Sequence, residues 1–86
     1  MINFKQEELI DGLLREIREH YPEVELIKVM ESAENPSTLW IRVTAPDDEE
    51  REIEMREFAS DKVADILLDY GYHMLVMPTR RLEEAI

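Results

Sequence analysis

Cysteine is absent from all 86 residues, which excludes disulfides, thiolate catalysis and Cys-ligated zinc in one step. Glycine is nearly absent. Gly12 and Gly71 are the 2 in the chain, so a Gly-rich phosphate-binding loop has nothing to be built from. No apolar run approaches the ~20 residues needed to cross a bilayer. Met1-Ile2-Asn3-Phe4-Lys5 leads straight into an amphipathic segment rather than a signal peptide, so no membrane role and a cytoplasmic location are expected. Positive charge is scarce as well: Lys plus Arg number 10 against 21 Asp plus Glu, for a net charge of -11, and Arg80-Arg81 is the one basic cluster. A nucleic-acid surface must neutralise phosphates, so no nucleic-acid partner is expected; basic proteins or cations are what such a charge attracts.

What the sequence does contain is concentrated between Pro46 and Pro78. Asp47 with Glu50 three residues on has the form of an N-terminal cap, and the acids around it suit the positive end of a helix dipole, so a helix is expected from about residue 48. Met55, Ala59, Val63, Ile66 and Tyr70, with Phe58 and Leu67 beside them, recur at the spacing of one buried helical face, and Gly71 supplies the left-handed residue that ends it. Glu54, Glu57, Asp61, Asp65 and Asp69 form a second stripe on the opposite side. Like charges at this spacing cost the helix a few tenths of a kcal/mol per pair, and the stripe reads either as a solvated face or as a docking strip for a basic partner. A competing reading extends residues 51–56 as a strand beside Trp40 to Val43 with Ser60 capping a shorter helix. The abundance of Glu, Arg and Met favours the single helix.

Ahead of that stretch, Asn3 and Gln6 form a capping-box pair for a first helix over about residues 4–20, with Leu9 or Ile10, Leu13, Leu14, Ile17 and Tyr21 as its apolar stripe. Gly12 inside it costs about 1 kcal/mol relative to Ala unless something packs closely there. His20 at its C-terminal end suits the negative end of the dipole. Val24 to Met30 reads as a first strand, Glu31 to Ser37 as a polar connection turning at Asn35-Pro36, and Thr38 to Thr44 as a second strand with Leu39, Ile41 and Val43 on its core side. Tyr72 to Met77 reads as the last strand, apolar on both faces, and Thr79 caps a short C-terminal helix over residues 80–86.

The expected fold is α+β, one domain over residues 1–86 in the order α-β-β-α-β. Strands one and two pair antiparallel, strands two and three parallel, and both helices lie on one face of the mixed three-stranded sheet. The other face is left open, with Trp40, Met74 and Val76 as candidates to lie on it, and an apolar patch of that kind points to a homodimer or a protein partner.

Residue types that carry chemistry are present without their usual companions. Asp47-Asp48-Glu49-Glu50 lacks the alternating spacing and turn-making Gly of a cation loop, and is better read as a helix start. Asp69 and His73 flank Gly71 at a spacing of four, like an orienting acid beside a base, but no nucleophile is placed by a local motif. Ser32 and Ser37 are loop formers without a Gly-x-Ser-x-Gly elbow. No catalytic residue, metal ligand or cofactor is assigned.

The run of strand, acid-rich helix, Asp69-Tyr70-Gly71-Tyr72 and terminal strand resembles the back half of small nucleotidyltransferase-fold proteins of the DNA polymerase beta superfamily. The resemblance covers about half of the chain. That family's chemistry needs a Gly-Ser after the first strand and an Asp-x-Asp or Asp-x-Glu pair at the second, holding two Mg²⁺. Here Glu31-Ser32 and Thr38-Leu39-Trp40 stand in those places. The resemblance therefore implies the fold and argues against the activity. The expected function is a non-enzymatic acidic domain acting by protein association, homodimeric through the open sheet face. The alternatives are a degenerate nucleotidyltransferase-like domain binding nucleotide and divalent metal at Glu31 and Glu34, or an acidic partner of a basic protein such as a toxin-antitoxin component.

Overall fold

A computed structural model describes residues 2–35 and 37–79. The elements follow in the order α1 (Phe4–His20), β1 (Leu26–Glu31), β2 (Thr38–Thr44), α2 (Glu49–Tyr70) and β3 (His73–Thr79). The strands form one sheet in the order β1-β2-β3, antiparallel between β1 and β2 and parallel between β2 and β3. Both helices pack on one face, giving the two-layer α+β domain that the sequence predicts.

Local sequence explains where each helix begins and ends. Asn3 Oδ1 accepts from Gln6 N at 2.7 Å while Gln6 Oε1 accepts from Asn3 N at 2.9 Å, so the capping box that opens α1 is complete. For α2 the cap is Asp48, whose side chain accepts from the Glu50 amide, and not Asp47 as expected. Two adjacent aspartates compete for that position; the one whose backbone is extended and whose carbonyl takes the first helical bond, from Glu52 N at 2.9 Å, is Asp48. Gly71, at φ 79°, ends the helix in the left-handed conformation, and its amide donates to the Leu67 carbonyl at 2.9 Å. Residues 51–56 are helical throughout, which settles the choice between helix and strand there.

One core lies between the layers. Ile10, Leu13 and Ile17 from α1, and Tyr21 just after it, meet Leu39, Ile41 and Val43 from β2, Met55 and Ala59 from α2, and Met74 from β3. Of the expected apolar face of α2, Val63, Ile66 and Phe58 are half-buried against this core, whereas Leu67 and Tyr70 are exposed. The last turn of α2 runs past the core, and the Tyr70 ring instead takes the Lys5 ammonium 4.8 Å from its centroid.

The register places Leu39 beside Met74 and Ile41 beside Val76, so all four side chains share the helix-covered face. This corrects the expectation that Met74 and Val76 lie on the open face. Met74 is fully buried and Val76 is half-buried against the core, while Leu75 and Met77 point the other way. The first strand runs Leu26–Glu31, starting later than the expected Val24, and its ladder shifts register between Leu26 and Lys28. The expected C-terminal helix falls on residues 80–86, outside the described residues, and Thr79 is the last residue of β3.

Candidate association surfaces

The open face of the sheet is built by alternation. Trp40 and Arg42 project from β2 between Met30 and Lys28 of β1 on one side and Leu75 and Met77 of β3 on the other, following the pairs Met30 to Trp40, Lys28 to Arg42, Trp40 to Leu75 and Arg42 to Met77. Its centre is apolar. Leu75 is 41% and Met77 37% exposed, and Trp40 and Met30 are half-buried by their strand neighbours. Among the described residues no helix or loop covers this face, because α1 and α2 both occupy the other.

The charge contributed by its strands is of one sign, with Glu25, just before β1, paired to Thr44 at its margin. The chain has 21 acidic residues, yet no carboxylate alternates onto this face from β1, β2 or β3, where Lys28 and Arg42 are the charged groups. The ion pairs formed elsewhere among the described residues are Lys5 with Glu8, Arg51 with Glu23 and Lys62 with Glu16, and none involves Lys28 or Arg42.

The second surface is the outward side of α2. Glu54, Glu57, Asp61, Asp65 and Asp69 are all exposed, as the stripe predicts. Leu68, 82% exposed, lies on the same side: Glu57, Asp61, Ala64 and Leu68 follow at steps of four, three and four along the helix. The acidic strip therefore carries an apolar residue near its C-terminal end.

The groups weighed for chemistry are held apart or otherwise engaged. His73 Nδ1 shares a hydrogen bond with Thr38 Oγ1 at 3.0 Å, across the parallel pair that those two residues form, so the ring is oriented by Thr38 and not by Asp69. Ser32 is buried, and its hydroxyl accepts from the Glu34 and Asn35 amides at 3.3 and 3.4 Å, which organises the β1–β2 connection. Ser37 donates its amide to Asn35 Oδ1 at 3.1 Å in the same loop. Glu31 ends β1 half-buried while Glu34 is exposed in the loop, and among the described residues no three His, Cys, Asp or Glu side chains converge as a metal site would require.

His20 is structural. Its ring sits 4.7 Å from that of Phe58, and its carbonyl accepts from Arg51 Nη2 at 3.0 Å. The same guanidinium pairs with Glu23, reaching Oε1 at 3.2 Å, and lies 4.7 Å from the Tyr21 ring centroid. This cluster fastens the end of α1 to the start of α2. The hydrogen bond from Arg51 holds the Glu23 carboxyl below its ordinary pKa, with the guanidinium's charge acting the same way and partial desolvation opposing both.

The alternation of the second strand already sets Arg42 on the Trp40 side, whereas Leu75, Met77 and Lys28 as neighbours of Trp40 were missed. For Leu75 and Met77 the signal is His73. It is the polar residue at the head of an otherwise apolar strand, and its half of the alternation, with Leu75 and Met77, is the half that faces out. No protein-family model, no curated protein and no solved structure matches this chain.

Proposed function

We propose that this domain works by protein–protein association rather than by catalysis, with the open face of the sheet as the contact surface and a second copy of the chain as its partner. One observation carries the reading: among the described residues nothing covers the apolar centre formed by Trp40, Leu75 and Met77, in a sheet whose parallel strand pair belongs to the kind usually covered on both sides. Completing the burial of Leu75 and Met77 from their present exposure would contribute about 1 kcal/mol each. Support also comes from what surrounds the candidate chemical groups, since His73 and Ser32 are both engaged in holding the sheet and its loop.

The test is sedimentation of the full chain over a range of concentrations, paired with melting temperature. A protein that associates through this face gains mass with concentration, and its Tm rises as it does so. Trp40→Ser should remove both dependences. A wild-type chain that stays monomeric up to about 1 mM, and whose Tm is indifferent to Trp40→Ser, would refute the proposal.

A further inference from the structure

Taking the open face as an association surface, as proposed above, leaves undecided which part of the second copy covers it. Two copies of the open face set against each other with their strands running the same way would bring Lys28 and Arg42 of one chain near Lys28 and Arg42 of the other, with no carboxylate on that side of β1, β2 or β3 to pair with them. In that orientation the face repels itself.

The complementary surface is on the same molecule. The outward side of α2 presents Glu57 and Asp61 with Ala64 and Leu68 beyond them, so it is acidic and apolar where the strands of the sheet face are cationic and apolar. Size agrees as well. Strands of six and seven residues are about 20 to 23 Å long, and three side by side make a surface about 15 Å wide, about two-thirds of which one helix of about 10 Å diameter covers. With 22 residues, α2 is about 33 Å long and spans it from end to end. A helix layer is also what a parallel strand pair ordinarily carries on its second face.

We infer that the chain assembles head to tail, the outward face of α2 in one copy seated on the Trp40 face of the next, with Glu57 and Asp61 meeting Arg42 and Lys28, and Leu68 against the apolar centre. Each copy then still presents one free face and one free helix, so the assembly continues to a ring or a filament instead of stopping at two. The contact is small, a few hundred Å² per partner, and so belongs among weak, reversible interfaces.

The test uses three full-length proteins: the wild type, a face variant Trp40→Gln/Arg42→Gln, and a helix variant Asp61→Arg/Leu68→Arg. The altered side chains lie outside the core, so melting temperatures of the dilute variants matching the wild type establish that all three are folded. In sedimentation from about 10 μM to about 1 mM, the wild type should pass a weight-average mass of two chains and keep rising or level off at a ring. Each variant alone should stay monomeric, since one has lost its face and the other its helix. An equimolar mixture of the two should form a species of two chains and no more, because a single intact face and a single intact helix remain between them. A wild type that stops at two chains, together with a helix variant that associates as tightly as wild type, would show face pairing with face: the head-to-tail arrangement falls and the association reading stands. A wild type that is monomeric throughout overturns both.

Discussion

Gly12 lies in the middle of α1, where glycine costs a helix about 1 kcal/mol relative to alanine because it has more backbone freedom to lose. A close neighbour would justify that cost, and the structure shows none: a Cβ built on Gly12 meets no atom within 4 Å. The residue instead borders a shallow groove of about 250 Å³ between the helices, floored by Leu9, Leu13 and Ile66 and edged by Glu8, Glu16, Lys62 and Asp65. Gly12→Ala should therefore stabilise the domain by about 1 kcal/mol, almost all of it through the backbone, since a methyl group that touches nothing contributes little by burial. For a chain of this length that is an increase of about 4–8 °C in Tm. Urea unfolding followed by circular dichroism measures it directly, with the midpoint rising and the slope unchanged. If the variant is instead destabilised, some group approaches Gly12 that the isolated chain lacks, and the groove is a contact surface after all.

Substitutions at four further positions examine the other structural claims. Met74→Ala should cost about 2–5 kcal/mol, as for a fully buried side chain, and Leu75→Ala under about 0.5 kcal/mol in dilute solution; equal costs would mean that the register of β3 is misassigned. Gly71→Ala should destabilise by about 1 kcal/mol because φ 79° disfavours a Cβ, and Gly71→Asn by less; no loss in either would deny the left-handed end of α2. Glu23 has its carboxyl held below the ordinary value of 4.5 by Arg51, so its contribution is present above that pH and disappears as pH falls through the folded-state value. The Tm difference between wild type and Glu23→Gln should accordingly stay constant down to about pH 5 and shrink below it, and a gap that widens in acid would reverse the assignment.

Most of the fold was legible because each element carries its own boundary marks. Asn3 with Gln6, the aliphatic spacing from Ile10 to Tyr21, the alternation of β2 and the stop at Gly71 are all local signals, and local physics obeys them in the structure. The parallel partnership of β2 and β3 follows from the helix between them, which must carry the chain back to the same end of the sheet. The misreadings share one cause, a choice between neighbours of similar chemistry. Asp47 and Asp48 are equally able to cap, and tertiary geometry decides between them. Met74 and Leu75 are equally apolar, so hydrophobicity alone leaves the inward half of β3 undetermined, and only the pairing of Leu39 with Met74 fixes it. The cationic character of the open face is not visible along the chain, because Lys28 and Arg42 are fourteen positions apart and meet only through the β1–β2 register.

That register also bears on why association should use the face of the sheet and not its margins. Both outer strands expose backbone groups that another strand could pair with, the usual hazard of a small open sheet. Here each margin is interrupted. The β1 ladder shifts between Leu26 and Lys28, which bends the strand and puts a lysine in the middle of the edge, and β3 contains Pro78, which has no amide to donate. A partner strand added at either side would meet an interruption before it paired along the whole strand. The face between those margins has no such obstruction: it is apolar at Trp40, Leu75 and Met77, and charged with one sign at Lys28 and Arg42. Backbone pairing is sequence-tolerant and would admit many chains, whereas a patch of this kind selects by shape and charge. Restoring a regular β1 ladder, by deleting Ile27, should therefore open a route to strand pairing that the wild-type chain blocks, seen as aggregation with a rise in thioflavin fluorescence. A deletion variant that remains as soluble as wild type would show that the bulge is not what protects this edge.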